Sequence, residues 1–397
     1  MTLSPLIERF IRYARIETTS SDTTGTSPST ACQHDLARLL AQELRDMGAS
    51  DVLYDDVHCY VYAQIPGEGQ PLGFIAHMDT SPAASGRNVS PRILPAYDGT
   101  DALLRPEDFP ELRSHFGEDL IASDGTTLLG ADDKAGVAEI MEMARYYLEH
   151  PEVPHRALSI CFTPDEEVGQ GTDHFDPDAF RAREAYTVDG GKLGVFEYEC
   201  FNAAAAEVSV QGRSVHPGSA KGLMKNAATL AMEFDRLLPA AERPEYTEGR
   251  EGFFMLTEIR GETDTANLSY IVRDHDRDRF EARKETLRRV ANYMNEEHGE
   301  GAISLTITDS YRNMAEYMRD HMDLVDKAFE AARAIGVTPS CEPVRGGTDG
   351  ARLAEVYGIP CPNLCTGGYN FHGRYEYASI QEMEKSLQIL LHIAQVC

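Results

Sequence analysis

Ile75-Ala-His77-Met-Asp79 closes an apolar run that begins at Leu72, and the reading of the whole chain turns on it. An unbroken apolar run ending on a histidine and an aspartate reads as a buried strand that hands polar groups to its carboxyl end. Four more segments place acids or an imidazole in similar surroundings: Gly130-Ala-Asp132-Asp133-Lys134, Pro164-Asp-Glu166-Glu167-Val-Gly169, Thr187-Val-Asp189-Gly-Gly191 and Asn370-Phe-His372-Gly373. Around them the apolar pattern predicts strands at 59–65, 72–76, 158–162, 185–188 and 360–364. Helices are expected at 31–48, 137–148 and 380–396. Strands alternating with helices predict an α/β sheet, and ligands of such sheets gather beyond the carboxyl ends of strands. Four of the five segments fall there; the fifth, at His372, follows a Gly-rich loop.

Two imidazoles and at least three carboxylates form a mixed nitrogen and oxygen donor set that suits zinc or a similar divalent transition metal. It is too rich in nitrogen for calcium and too rich in carboxylate for a cysteine-type structural zinc. Two ions sharing a carboxylate would use the whole inventory. Asp132 and Asp133 repel one another, so burying both calls for a cation, and one of them can bridge two metals about 3.5–4 Å apart. An acidic opening to the helix that starts there is the competing account, because anions favour helix starts. In Glu166-Glu167 one carboxylate can ligate while its neighbour takes a proton from water; a plain surface pair is the alternative. Asp79 can orient His77 or merely solvate a strand end. Turn chemistry alone would explain Asp189 or His372. The coincidence of five such segments at one sheet edge favours a site.

The chain has 397 residues, 42% of them hydrophobic, which exceeds the size at which single cores usually stop growing and predicts two domains. From about 204 to 313 the pattern changes to βαββαβ, a ferredoxin-like unit. The expected organisation is a catalytic domain from 1–203 and 314–397 with a central mixed sheet, interrupted by a lid domain at 204–313. His216, within Val215-His-Pro-Gly218 of that insertion, suits a donor to an oxyanion rather than a metal ligand. Arg273 and Arg345 are fixed positive charges able to take a substrate carboxylate, or else to form structural salt bridges.

Against 37 Lys and Arg stand 65 Asp and Glu, giving a formal net charge of −28. Such a surface argues against nucleic acid or anionic membrane partners. Ser4-Pro5 followed by Leu6, Ile7, Phe10, Ile11 and Ala14 reads as a capped amphipathic helix rather than a targeting segment. No apolar run approaches a membrane span. The eight cysteines are scattered without a CxxC; Cys361 and Cys365 lie four apart across Pro362, and reduced thiols of a cytoplasmic protein are the simpler account. Whether the chain forms a homodimer is left open by these patterns.

The segments 126–136 (Thr-Thr-Leu-Leu-Gly-Ala-Asp-Asp-Lys-Ala-Gly), 162–169 (Phe-Thr-Pro-Asp-Glu-Glu-Val-Gly), Val215-His-Pro-Gly218 with Ala220-Lys-Gly222, and 363–373 (Asn-Leu-Cys-Thr-Gly-Gly-Tyr-Asn-Phe-His-Gly) carry a resemblance. The chain resembles the peptidase T family of tripeptide aminopeptidases, within the dizinc exopeptidases and amidohydrolases, over nearly its whole length. That resemblance implies one zinc held by His77, Asp132 and Asp189 and another by Asp132, Glu167 and His372. It implies Glu166 as general base, Asp79 as support of His77 and His216 as oxyanion donor. It also implies a cis peptide between Asp132 and Asp133. The implied activity is release of the N-terminal residue from tripeptides by attack of a water lying between the zinc ions. A dipeptidase or acylamino-acid deacylase of the same group is the nearest alternative, and a non-catalytic peptide-binding protein a remoter one. The stretch between Thr80 and Asp124 is shorter than the family pattern, and Cys59 and Cys365 depart from it.

Overall fold

Leu72, Phe74, Ile75 and Ala76 are all buried, because their strand, Glu68–His77, lies inside a six-stranded sheet. The computed structural model describes residues 3–395. In the sheet the order is Ser50–Tyr54, Val61–Ile65, Arg156–Thr163, Glu68–His77, Ala185–Gly190 and Asn363–Cys365. The last four run parallel to one another, while Val61–Ile65 pairs antiparallel with both of its neighbours, so the sheet is mixed. Register matters most here. His77 stands opposite Thr163 on one side, and Ile75 opposite Thr187 on the other. Three parallel strands therefore end level, at His77, just before Glu166-Glu167, and at Asp189.

Helices cover this sheet. Gln33–Met47 buries Leu36, Leu40 and Leu44 along one stripe and stops at Gly48, whose φ of 91° suits a residue without a side chain. Ala131–Glu149 is helical from its fourth residue, Lys134, on and buried on most sides; Asp132 and Asp133 at its start are non-helical, and the peptide between them is cis. Ile380–Ala394 follows, its N-cap Ser379 accepting from the Glu382 N–H; the expected end at Val396 lies outside the described residues. A four-stranded sheet of Arg92–Leu94, Leu120–Ala122, Tyr377–Ser379 and Gly368–Tyr369 was not legible beforehand.

By contacts the chain divides into two units. One comprises Met1–Tyr198, Tyr317–Glu342 and Thr348–Cys397, and the other Glu199–Glu316 and Pro343–Gly347. The second unit runs strand, helix, two strands, helix and strand: Asn202–Gln211, Ala227–Leu237, Phe253–Gly261, Thr265–Asp274, Arg277–His298 and Ile303–Tyr311. Its all-antiparallel sheet places the first and third strands centrally and the second and fourth at the edges, which is ferredoxin-like topology. Val208, Val210, Leu230, Phe234, Leu268, Leu287 and Met294 give it a core of its own. Among the described residues no helix is long and apolar enough to cross a membrane.

Candidate dinuclear metal centre

At the carboxyl edge of the parallel strands two donor groups share one residue. His77 Nε2 stands 2.9 Å from Asp132 Oδ1 and 3.4 Å from Asp189 Oδ1. His372 Nε2 stands 3.0 Å from Asp132 Oδ2 and 3.0 Å from Glu167 Oε2. Asp132 thus offers one oxygen to each group. Within each triad the donor atoms lie within 4.8 Å of one another. A tetrahedral ion with ligands at about 2.0–2.1 Å has ligand-to-ligand edges of roughly 3.3 Å, so this spacing fits such ions.

Electrostatics give the same answer. Burial works against a charged His77, but the carboxylates of Asp189 and Asp132 overcome it and push the imidazole well up. His372 is pushed up to about 10 by its hydrogen bonds to Asp132 and Glu167. Burial raises Asp189 to about 7 and raises Glu167 and Asp133, whereas the two imidazoles overcome burial at Asp132 and lower it. The acids are crowded, and the imidazoles act as their counter-cations. Glu167 Oε1 is buried without any hydrogen-bond partner. An orphaned carboxylate oxygen beside two triads of hard and borderline donors is what a divalent cation would satisfy.

Surrounding groups hold the donors in place. His77 Nδ1 faces the Asp79 backbone carbonyl at 3.1 Å and the Asp79 carboxylate at 3.3 Å. That carboxylate does more than orient the ring, since it also accepts from the N–H groups of Glu166 and Glu167 at 3.0 and 3.2 Å. The turn is gripped from behind by Asp165, at φ 55°, whose carboxylate accepts from the Ser29 N–H, the Ser29 hydroxyl and Gln33 Nε2. Asn363 Oδ1 accepts from the Asp189 N–H while its Nδ2 donates to Glu197. Glu376 accepts from three backbone N–H groups of the loop that carries Asp132. None of Asp165, Asn363, Glu197 or Glu376 was singled out in the sequence, and a polar residue that serves backbone rather than metal leaves no spacing signature there. The Glu166 carboxylate has no hydrogen-bond or ion-pair partner among the described residues, and burial raises it well above the usual range.

The remaining expected residues belong to the second unit. His216 is exposed, with Nδ1 accepting from the Gly218 N–H at 3.1 Å. Arg273 lies over the Tyr311 ring and has no carboxylate partner among the described residues; burial lowers its pKa. Arg345 donates to the carbonyls of Gly249, Glu251 and Thr247 and to the Thr247 hydroxyl, and it stacks on Phe201 and Phe253. Cys361 and Cys365 are buried free thiols that join neither donor triad.

A parallel-sheet edge bearing two carboxylate-linked donor triads, with an unengaged glutamate beside them, defines a hydrolase of the metallopeptidase class. The model of peptidase family M20/M25/M40 matches residues 124–396. A peptidase T of Alkaliphilus oremlandii is 46% identical over 405 residues, covering 98% of each chain. In fold the chain is similar to an aminopeptidase PepT from Bacillus cereus (TM-score 0.76, 23% identity, 98% and 97% coverage). It is similar too to a tripeptidase from Staphylococcus aureus (TM-score 0.79, 20% identity, 98% and 97% coverage). The chain belongs to peptidase family M20/M25/M40, and its likeness to peptidase T runs through nearly its entire length.

Proposed function

We propose that this protein is a dizinc aminopeptidase that releases the N-terminal residue from tripeptides. The observation that carries the reading is the division of labour at the sheet edge: five side chains form two triads, and Glu166 stands beside them unengaged. His77, Asp132 and Asp189 would hold one ion and Asp132, Glu167 and His372 the other. Bound there, the ions supply Lewis acidity, polarising a peptide carbonyl and bringing the pKa of water to roughly 7.

The chain's own groups do the rest. Glu166 takes the proton of the attacking water and passes it to the departing amine; a carboxyl raised by burial suits both halves of that transfer. His216 is held as the tautomer with its proton on Nε2, because Nδ1 accepts from Gly218, and so it can donate to the oxyanion. Arg273, without an acidic partner, reads the C-terminal carboxylate. Arg345 could do so only by giving up its bonds to Thr247, Gly249 and Glu251. Acidic side chains around the centre meet the free α-amino group, and a demand for charge recognition at both ends of the substrate selects short peptides. The ferredoxin-like unit acts as the lid that carries His216 and Arg273. The buried free thiols of Cys361 and Cys365 suit the reducing cytoplasm.

The deciding experiment compares Glu166→Ala with the parent protein in metal content and tripeptide turnover. Both metals are expected to remain while kcat falls by about 10²–10⁴; retained activity would place the base elsewhere. Hydrolysis of an N-acylated tripeptide at the rate of the free one would shift the reading to a deacylase.

A further inference from the structure

Glu376 is 1% exposed and belongs to neither donor triad; the hydrogen bonds its carboxylate accepts all come from backbone. Oε2 accepts from the N–H groups of Leu129 and Gly130 at 2.7 and 2.8 Å, and Oε1 from the Asp132 N–H at 3.0 Å. Gly130, at φ 80°, turns the chain so that these donors converge. Four residues before Glu376, on the same loop, is His372. The loop is drawn into a tight turn by Asn370 Nδ2 donating to the Tyr375 carbonyl and the Glu376 N–H donating to the Gly373 carbonyl. One short segment therefore presents an imidazole to the Asp132 carboxylate and a carboxylate to the Asp132 backbone.

The two donor triads are scaffolded differently. His77 and Asp189 end adjacent parallel strands, so the sheet fixes their separation. His372 has no such support: its side chain is 50% exposed and it sits at φ 63° on a loop. We propose that Glu376 is the positioning residue of the centre. It sets the distance between His372 and Asp132, and so governs the Asp132, Glu167 and His372 triad while leaving the His77, Asp132 and Asp189 triad nearly untouched. Bonds from N–H groups to a carboxylate are stronger than neutral ones, and groups that hold ligands in place usually govern metal affinity by 10–100-fold. This inference rests on the metal-pair reading above.

The test titrates chelator-treated full-length protein with Co²⁺, following visible absorption and the number of equivalents bound. The parent protein is expected to take up two. In Glu376→Gln the amide NH₂ must face a backbone N–H, so the grip is broken at one end. The first equivalent is expected to bind as in the parent and the second 10–100-fold more weakly, with an altered ligand-field spectrum. Ser379→Ala is the structural control: it removes the cap of the Ile380–Ala394 helix and a bond to Glu118, yet touches none of the three N–H groups. It is expected to lower the melting temperature and keep both equivalents at parental affinity. Glu376→Asp, which keeps the charge on a shorter stem, replaces the Gln variant should that one not fold, and the same order of loss is expected. Parental affinity for both ions in a folded Glu376 variant overturns the proposal, as does equal weakening of both or a matching loss in Ser379→Ala. A parent protein that binds fewer than two ions overturns the metal-pair reading itself.

Discussion

Asp132 shows what one residue can do when its two oxygens face different imidazoles. The spacing of the acidic pair alone does not say which member faces inward, because either could have begun a helix in water; only the family resemblance pointed to Asp132. The structure separates them: Asp132 serves both triads, while Asp133 turns away, accepting from the N–H groups of His77 and Gly136 at 3.2 Å. Glu197 shows the other kind of acid, unreadable beforehand. Burial raises it from 4.5 to about 7, partly opposed by the bond from Asn363. A carboxyl whose pKa is higher folded than unfolded favours the protonated native state. Its contribution is therefore full below pH 4.5 and is lost as pH rises to about 7. Glu197→Gln removes that loss. Because the side chain keeps some solvent contact, the gain at pH 8 is expected to be about 1–2 kcal/mol, with none at pH 4, measured by urea unfolding. An equal gain at both pH values would show that charge is not the cause.

At the scale of elements, the strands that converge on the site were legible because buried parallel strands read as continuous apolar runs. Boundaries shifted by a few residues; the Glu68–His77 strand, for example, begins before Leu72, where the residues are exposed and carry no pattern. The small sheet through Arg92–Leu94 and Leu120–Ala122 escaped notice for a related reason: three-residue strands offer no periodicity to detect. Helix Ala131–Glu149 depends on a glycine that its pattern did not flag. A Cβ on Gly136 would sit 1.8 Å from the Val188 carbonyl oxygen, one residue before Asp189. Gly136→Ala must push helix from strand, and with them Asp132 from Asp189. The expected cost is about 3 kcal/mol in urea unfolding, accompanied by loss of bound metal. A variant of parental stability and metal content would mean that the strand yields freely.

Over the whole molecule, the charge of −28 is spread through a fold that gathers more acids at its centre. Raising salt from about 10 to 150 mM shortens the screening length from roughly 30 to 8 Å and should raise the melting temperature of the metal-free protein. A flat or falling response would show that self-repulsion is not felt. The ferredoxin-like unit has its own core and a continuous main stretch, so residues 199–316 expressed alone are expected to unfold in one cooperative step. A gradual transition would deny it independence. The other unit has no such freedom, because its last stretch, Thr348–Cys397, supplies Asn363, His372 and Glu376. On the proposed assignment of His372 as a ligand, a nascent polypeptide that has not yet released position 372 lacks one of the two donor triads. Fragments released before that point would, on the same assignment, hold one ion at most and cleave no peptide.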